Sequence, residues 1–209
     1  MSLSPQRQIA AIRKDAREYI RKREATDPAG GGNFHVPFWS DCKDHVFERG
    51  HLPDLSKGRV AANSRRQRLY PELSNGFLVW WASERSKFNQ DVREIPEQVR
   101  GECGFVDIGG VIRVENLLTF RVGGVRRRFV YPYFSEIPVL STDAARLGLA
   151  IVSTALSKFD PQVIQILDVL RSREFRYRTA DMTGNELDLV QNEYGRILKI
   201  WQGFVDEFD

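Results

Sequence analysis

The chain has 209 residues, of which 42% are hydrophobic and 28% are charged, and its formal net charge is only +3. This balance provides apolar surface for one large core and argues against wholesale disorder. No apolar run approaches the roughly 18–20 residues of a membrane-spanning helix, and the charged N-terminal region lacks the apolar stretch of a signal peptide. Two cysteines are too few for a disulfide framework, so we expect a cytoplasmic protein with free thiols and no membrane partner.

The first predicted element is an amphipathic helix over residues 4–24, with Ser4 as its N-cap. Apolar residues at spacings of three and four give this helix a narrow apolar stripe. Residues 27–33 include three consecutive glycines, which predicts a linker. We therefore divide the chain into a helical arm with its linker at 1–33 and a single domain at 34–209. The arm is expected to bind a protein partner or a second copy of the chain, or to lie back on the domain.

Residues 34–64 have no strong period and predict irregular chain with a short helix near 40–49. A clearer apolar pattern predicts a helix over 69–88. An antiparallel meander is expected next, because Gly109-Gly110 and Gly123-Gly124 separate alternating apolar and polar segments in the manner of two-residue turns. Its strands are predicted at 103–108, 111–122 and 125–134.

The second glycine pair predicts the register of the last two strands. A two-residue loop pairs Val122 with Val125, and Arg121 then lies directly opposite Arg126. The alternation of the middle strand places Glu115 and Arg121 on the same polar face.

The last third of the chain predicts an apolar helix over 141–158, a largely buried strand over 163–170, and a final helix over 184–206. Thr183 and Glu186 form a capping box at the start of that final helix. A strand that follows a crossover helix can lie parallel in the same sheet. The predicted fold is therefore α/β of the α+β type. A three-strand antiparallel meander is extended by one strand after a crossover helix and flanked by helices, with an N-terminal helical arm.

Histidine and cysteine are concentrated in one segment, since all three histidines and one cysteine fall within 17 residues. Thiolate and imidazole are favoured zinc ligands, and Cys42-x-x-His45 is a workable ligand spacing. The overall spacing matches no zinc module, however, and the alternative is a cysteine packed in the core with histidines at the surface. The four candidate zinc ligands are His35, Cys42, His45 and His51.

The predicted element order between residues 69 and 170, α-β-β-β-α-β, resembles the core of the PD-(D/E)XK nuclease-like fold. The resemblance implies an acid on the second strand and an acid-x-lysine on the third, which hold Mg²⁺ or Mn²⁺ and polarise the attacked phosphate. Glu115 on the second strand and Glu136 just beyond the third are the corresponding candidate catalytic residues. No lysine occurs between Lys87 and Lys158, so the catalytic lysine is not carried over. We expect no cofactor unless the site is rebuilt around the two glutamates, and Glu115 equally fits a structural ion pair.

Arginines cluster at two places in the sequence, and guanidinium groups bind phosphates bidentately. Like charges opposite one another destabilise a sheet, so solvent, an acidic partner or phosphate must offset them. These clusters make nucleic acid a candidate partner, with an ordinary solvated surface as the alternative. The candidate nucleic-acid-binding residues are Arg65, Arg66, Arg68, Arg121, Arg126, Arg127 and Arg128.

Four segments together resemble a group of uncharacterised bacterial proteins, and this resemblance implies no particular activity. The leading hypothesis is a non-catalytic binding or accessory protein that engages a macromolecular partner. The alternatives are a metal-dependent phosphodiesterase or nuclease and a zinc-stabilised module. The four segments are Leu69-Tyr70-Pro71, Gly76–Trp81, Val114–Leu118 and Tyr131–Glu136.

Overall fold

The computed structural model describes residues 4–24, 34–124 and 126–208, and within them it shows a mixed α/β fold of six α-helices and seven strands. The predicted fold class is thereby confirmed. The helices are α1 (Pro5–Glu24), α2 (Val36–Val46), α3 (Leu52–Ala62), α4 (Leu69–Arg85), α5 (Thr142–Ala155) and α6 (Glu186–Phe208). The strands are β1 (Val92–Glu94), β2 (Gly101–Phe105), β3 (Gly110–Val114), β4 (Leu118–Val122), β5 (Arg126–Tyr133), β6 (Ile164–Asp168) and β7 (Arg173–Arg176).

The central sheet has five strands in the order β1-β4-β5-β6-β7. β1, β4 and β5 are antiparallel neighbours, and β6 joins β5 in parallel after the crossover helix α5. β7 then turns back and pairs antiparallel with β6. Three antiparallel strands extended by a parallel strand are therefore present, although the sequence did not indicate the two edge strands β1 and β7.

The meander is not built from the three strands that the sequence predicted. The predicted middle strand, 111–122, is divided at Asn116, whose φ of 60° lies in the left-handed region that asparagine tolerates. Trp39 Nε1 donates to the Asn116 carbonyl oxygen at 2.7 Å and holds this break in place. The first half of the segment consequently pairs with β2 in a separate two-stranded sheet, and only the second half enters the central sheet.

Both glycine turns are longer than the predicted two residues. Phe105 pairs with Gly110, so four residues connect β2 and β3, and Val122 pairs with Arg126, so three residues connect β4 and β5. The predicted register was therefore wrong by one residue, and Arg121 lies opposite Arg127 rather than Arg126. The predicted partner Val125 lies outside the described residues.

The central sheet is covered on both faces. Leu118, Phe120 and Val122 of β4 pack into a core with α4, and the ring of Phe120 meets Trp81 edge-on at 5.7 Å. On the other face, Phe129 packs into a second core with α5. This alternation is what a pleated strand between two helical layers requires, and it fixes which arginines of β5 point to which face.

The arm helix α1 packs along α6. Ser4 caps it by accepting the Arg7 N–H at 3.4 Å, as predicted, and Ala16 and Ile20 are buried against Val205 of α6. The apolar stripe of the arm is thus covered in part within the same chain, whereas Ile9 and Tyr19 stay 44% and 46% exposed, and binding of a partner or a second copy by the arm stays a prediction. The linker predicted at 27–33 lies outside the described residues. Among the described helices, none combines the length with the apolar character needed to cross a bilayer.

Candidate functional site

One end of the central sheet brings three distant segments of the chain together. β5 and β6 are parallel and begin at the same end, which we call the amino end of the sheet. β7 is antiparallel to β6 and finishes there, with Arg176 opposite Gln165. The loop that precedes β6 reaches the same end. Strand pairing therefore collects side chains that are about 50 residues apart in sequence.

These segments line a surface cavity with a volume of about 650 Å³, which we call the basic groove. Six of its lining residues are cationic, and Asp160 is its one acidic lining residue among the described residues. Phe159, Gln162 and Val163 complete the lining. The six cations are Arg126, Arg127, Arg128, Lys158, Arg176 and Arg178.

Two of the groove cations contact carboxylates at the floor of the groove, of which Glu84 is buried and Glu174 is partly buried. Arg176 Nη2 lies 2.8 Å from Oε2 of Glu84, a side chain that is 1% exposed, and 2.9 Å from Oε1 of Glu174. Arg128 Nε approaches Glu84 Oε1 at 3.7 Å. Burial lowers the pKa of the Arg128 guanidinium, while the nearby carboxylate of Glu84 acts against this effect. Arg176 is therefore held at the floor by hydrogen bonds, and Arg128 lies beside it in a longer ion pair.

Glu174 has a second set of contacts that hold it in its ionised form. Burial alone raises its pKa, but hydrogen bonds from Arg176 and Trp80 outweigh burial and lower the pKa below its usual value. Trp80 Nε1 donates to Glu174 at 3.1 Å, and Lys87 Nζ lies 3.2 Å from the same carboxylate. The floor of the groove is thus a network of charges at the edge of the core, in which Arg128 Nε and Glu84 Oε1 make no hydrogen bond within the described residues.

The remaining groove cations are not paired in this way. In the described part of the chain, no carboxylate oxygen lies within 4 Å of the charged nitrogens of Arg126, Arg127, Lys158 or Arg178. Arg127 instead places its guanidinium 5.8 Å from the centre of the Phe159 ring. The groove therefore presents a local excess of positive charge around a concave surface.

The arginines predicted near residue 66 lie elsewhere, at the carboxyl end of the sheet. Arg68 forms a bidentate pair with Glu136, with both N–O distances at 2.6 Å. Arg66 lies over the ring of Tyr70 at 5.3 Å and donates to the Arg59 carbonyl oxygen. The two predicted arginine clusters thus do not form one surface, and only the second contributes to the groove.

The two candidate catalytic glutamates have different surroundings. The Arg68 guanidinium lowers the pKa of Glu136 by hydrogen bonding to it. Glu115 is exposed in the loop after β3 and lines a recess of about 310 Å³ with His35 and Tyr131, which Glu136 does not line. The structure therefore places Glu136 in an ion pair and Glu115 in a separate recess, and their catalytic role stays a prediction.

The candidate zinc ligands are not gathered into one cluster. Cys42 is fully buried, and burial raises the pKa of its thiol well above the usual value, which disfavours the thiolate that binds zinc. His35 stacks on Phe134 at 4.7 Å, and His51 Nδ1 lies 2.8 Å from Asp54. Across residues 4–24, 34–124 and 126–208, no three His, Cys, Asp or Glu side chains are placed to share a metal ion. The zinc module stays a prediction.

Sequence reasoning missed half of the groove cations: Lys158, Arg176 and Arg178. One signal was available, because residues 171–178 contain four arginines and one glutamate. This segment follows a strand predicted to be buried, so it could have been recognised as a basic return strand. Lys158 carries no comparable signal, since only the parallel pairing of β5 and β6 brings it to the arginines.

Comparisons with protein-family models, with curated proteins and with solved structures gave no match to this chain.

Proposed function

We propose that this protein is a binding module that holds the phosphate backbone of a nucleic acid in the basic groove. One observation carries the proposal: within the described part of the chain, four cationic side chains with no carboxylate oxygen inside 4 Å surround a concave surface whose floor contains Glu84 and Glu174. Concentrated like charges repel one another, and the phosphates of a bound polyanion offset that repulsion.

The residue types also suit this ligand. Arginine donates in a planar fork that matches the oxygens of a phosphate group, and five of the six groove cations are arginines. Arg176 is already oriented by its hydrogen bonds to Glu84 and Glu174, so less conformational freedom is lost when it binds. The groove requires no catalytic step for this role, which agrees with the binding function that the sequence suggests.

The test is fluorescence anisotropy with labelled DNA and RNA oligonucleotides at several salt concentrations. If the four unpaired cations each contact a phosphate, log affinity falls with log salt with a slope of about −3 for a single strand. The double variant Arg126→Ala/Arg178→Ala should weaken binding about tenfold or more and reduce the magnitude of the slope by about 1.4. Arg65→Ala, an exposed arginine at the other end of the sheet, is the matched control and should bind as wild type does.

Three outcomes would overturn the proposal. The first is absence of binding at low salt, and the second is unchanged binding by the groove variant. The third is equal competition by polyglutamate, which would indicate any polyanion rather than nucleic acid. A parallel reaction with Mn²⁺ tests the nuclease alternative, because cleavage that Glu115→Gln removes would replace a binding function with a catalytic one.

A further inference from the structure

A row of arginines crosses the central sheet next to the basic groove. Arg93 of β1 lies directly opposite Arg121 of β4, and Arg121 lies directly opposite Arg127 of β5. Directly opposed residues share a face, and neighbouring strands are about 4.8 Å apart, so the row spans about 10 Å across three strands. We call these three residues the arginine row. Its last member, Arg127, also lines the groove.

The face that carries the row follows from the alternation of side chains. Phe120 and Val122 of β4 pack on the α4 side, so Arg121 between them points to the α5 side. Phe129 packs on the α5 side, and Arg127 shares that face because it is two residues away. The arginine row therefore lies on the face of α5, beyond the edge of the core that this helix covers.

The arginine row has only weak compensation within the described chain. Arg121 Nη2 lies 3.9 Å from Glu97, whose side chain is 72% exposed. Arg93 Nη2 lies 3.4 Å from Asp91, whose side chain is 81% exposed. Exposed pairs of this kind contribute little, whereas like charges on opposed residues destabilise a sheet. The row is therefore unfavourable for the free protein and favourable once a polyanion covers it.

We infer that the arginine row continues the basic groove, and that the ligand is an extended single-stranded nucleic acid. This inference rests on the proposed function of the groove. The backbone leaves the groove past Arg127 and crosses the strands toward Arg93 at the sheet edge. Three guanidinium groups arranged in a single line can contact the phosphates of one phosphodiester chain. A duplex instead presents two backbones across grooves about 6 and 12 Å wide.

The experiment measures affinity against oligonucleotide length, with single strands of about 4, 8 and 16 nucleotides, the range over which single-strand sites vary. Wild type should bind the longer strands more tightly. Arg93→Gln/Arg121→Gln should lose about tenfold in affinity for the longest strand and keep its affinity for the shortest. Arg126→Gln, in the groove, should weaken binding at every length. Arg113→Gln changes an exposed arginine of β3 and is the control, so the affinities for short and long strands should both stay at the wild-type values.

The thermal midpoint shows whether the row has a structural role instead. Removing opposed like charges should leave the midpoint of Arg93→Gln/Arg121→Gln unchanged or raise it, and a lower midpoint would contradict the inference. Equal binding of long strands by this variant and wild type would overturn the row but leave the groove in place. Tighter binding of a duplex than of a single strand of equal length would also overturn the inference. If the wild-type protein binds none of the oligonucleotides, the proposed function itself is overturned.

Discussion

The two ends of the central sheet both carry several arginines, but they differ in how those charges are matched. At the carboxyl end, Arg68 forms a bidentate pair with Glu136, and Arg171 lies 3.2 Å from both oxygens of the buried Asp168. At the amino end, carboxylates contact only the floor of the groove, and the cations around it have no carboxylate partner among residues 4–24, 34–124 and 126–208. Arginine content alone therefore does not identify a binding surface. The two ends differ instead in how much of their positive charge is unmatched within the described residues.

The difference has a stability consequence as well. A buried carboxylate with several cationic partners is costly to remove, because its partners are left charged and poorly solvated. An unmatched surface cation is not costly to remove. The carboxyl end and the groove floor should thus be sensitive to substitution, and the groove rim should be tolerant. The predictions below test this contrast, from the largest expected effect to the smallest.

The carboxyl end should be most sensitive at Gly76 of α4. A Cβ atom at this position would overlap the carbonyl oxygens of Val169 and Leu170, which are backbone atoms that cannot move aside easily. We expect Gly76→Ala to lower the free energy of unfolding by about 3 kcal/mol or more. Gly58→Ala is the control, since no atom lies within 4 Å of its added Cβ, and it should stabilise by about 0.5–1 kcal/mol. Urea denaturation of both variants measures the difference, and equal midpoints would contradict the close packing of α4 on this loop.

The groove floor should be nearly as sensitive at Glu84. The Glu84 side chain is 1% exposed and pairs with Arg128, Arg176 and Lys87, and Glu84→Gln removes its negative charge from all three. We expect a loss of about 2–3 kcal/mol of stability, below the value for a fully buried pair because the cations keep partial contact with water. Glu72→Gln, an exposed glutamate of the same helix, should change stability by less than about 0.5 kcal/mol. The measurement is denaturant unfolding at constant m-value, and a small effect at Glu84 would mean that the floor is not a fixed network.

Acid unfolding provides a reference that belongs to neither end of the sheet. Glu186 accepts hydrogen bonds from the Thr183 and Gly184 N–H groups at 2.6 and 2.9 Å, and these bonds lower its pKa to about 2 from 4.5. Because the folded-state pKa is the lower one, its contribution to stability is present above pH 4.5 and is lost as the pH falls toward 2. Stability measured across this window should decline more in wild type than in Glu186→Gln. Parallel curves for the two proteins would contradict the assignment.

The smallest effects compare one arginine from each end of the sheet. Arg68→Ala removes a well-oriented but exposed ion pair and should destabilise by about 0.5–1 kcal/mol. Arg126→Ala removes a cation that is surrounded by like charges, so it should be neutral or slightly stabilising. Thermal unfolding of the two variants at low salt gives the sign of each change. Raised salt should reduce the difference between them, and a destabilised Arg126→Ala would show that the rim has a structural role.

The parts of the fold that repeat with a helical or strand period could be predicted from sequence. α1, α4, α5, α6 and the parallel strand β6 were all identified in this way, because packing on a sheet or a helix imposes that period. The division of the middle strand at Asn116 was not predictable, because it depends on a left-handed backbone and a contact from Trp39.

The register error shows why the candidate site was only half predicted. One additional turn residue exchanges the partner of Arg121 from Arg126 to Arg127, and a shift of one residue moves a side chain to the other face. The sequence therefore indicated the correct arginines but not which of them share a face. Lys158 and Arg178 join them only through strand pairing between distant segments, which no local pattern encodes.

The packing of α1 against α6 has a consequence for how the chain folds. The contacts Gln8–Glu193 and Asp15–Trp201 join residues separated by 185 and 186 positions, and the residue numbers rise together, so the two helices run parallel. Bringing such distant segments together costs more loop-closure entropy than any strand pairing in the central sheet. We therefore expect α1 to dock last and to open most readily by local unfolding, so its amide protons should exchange faster than those of α5.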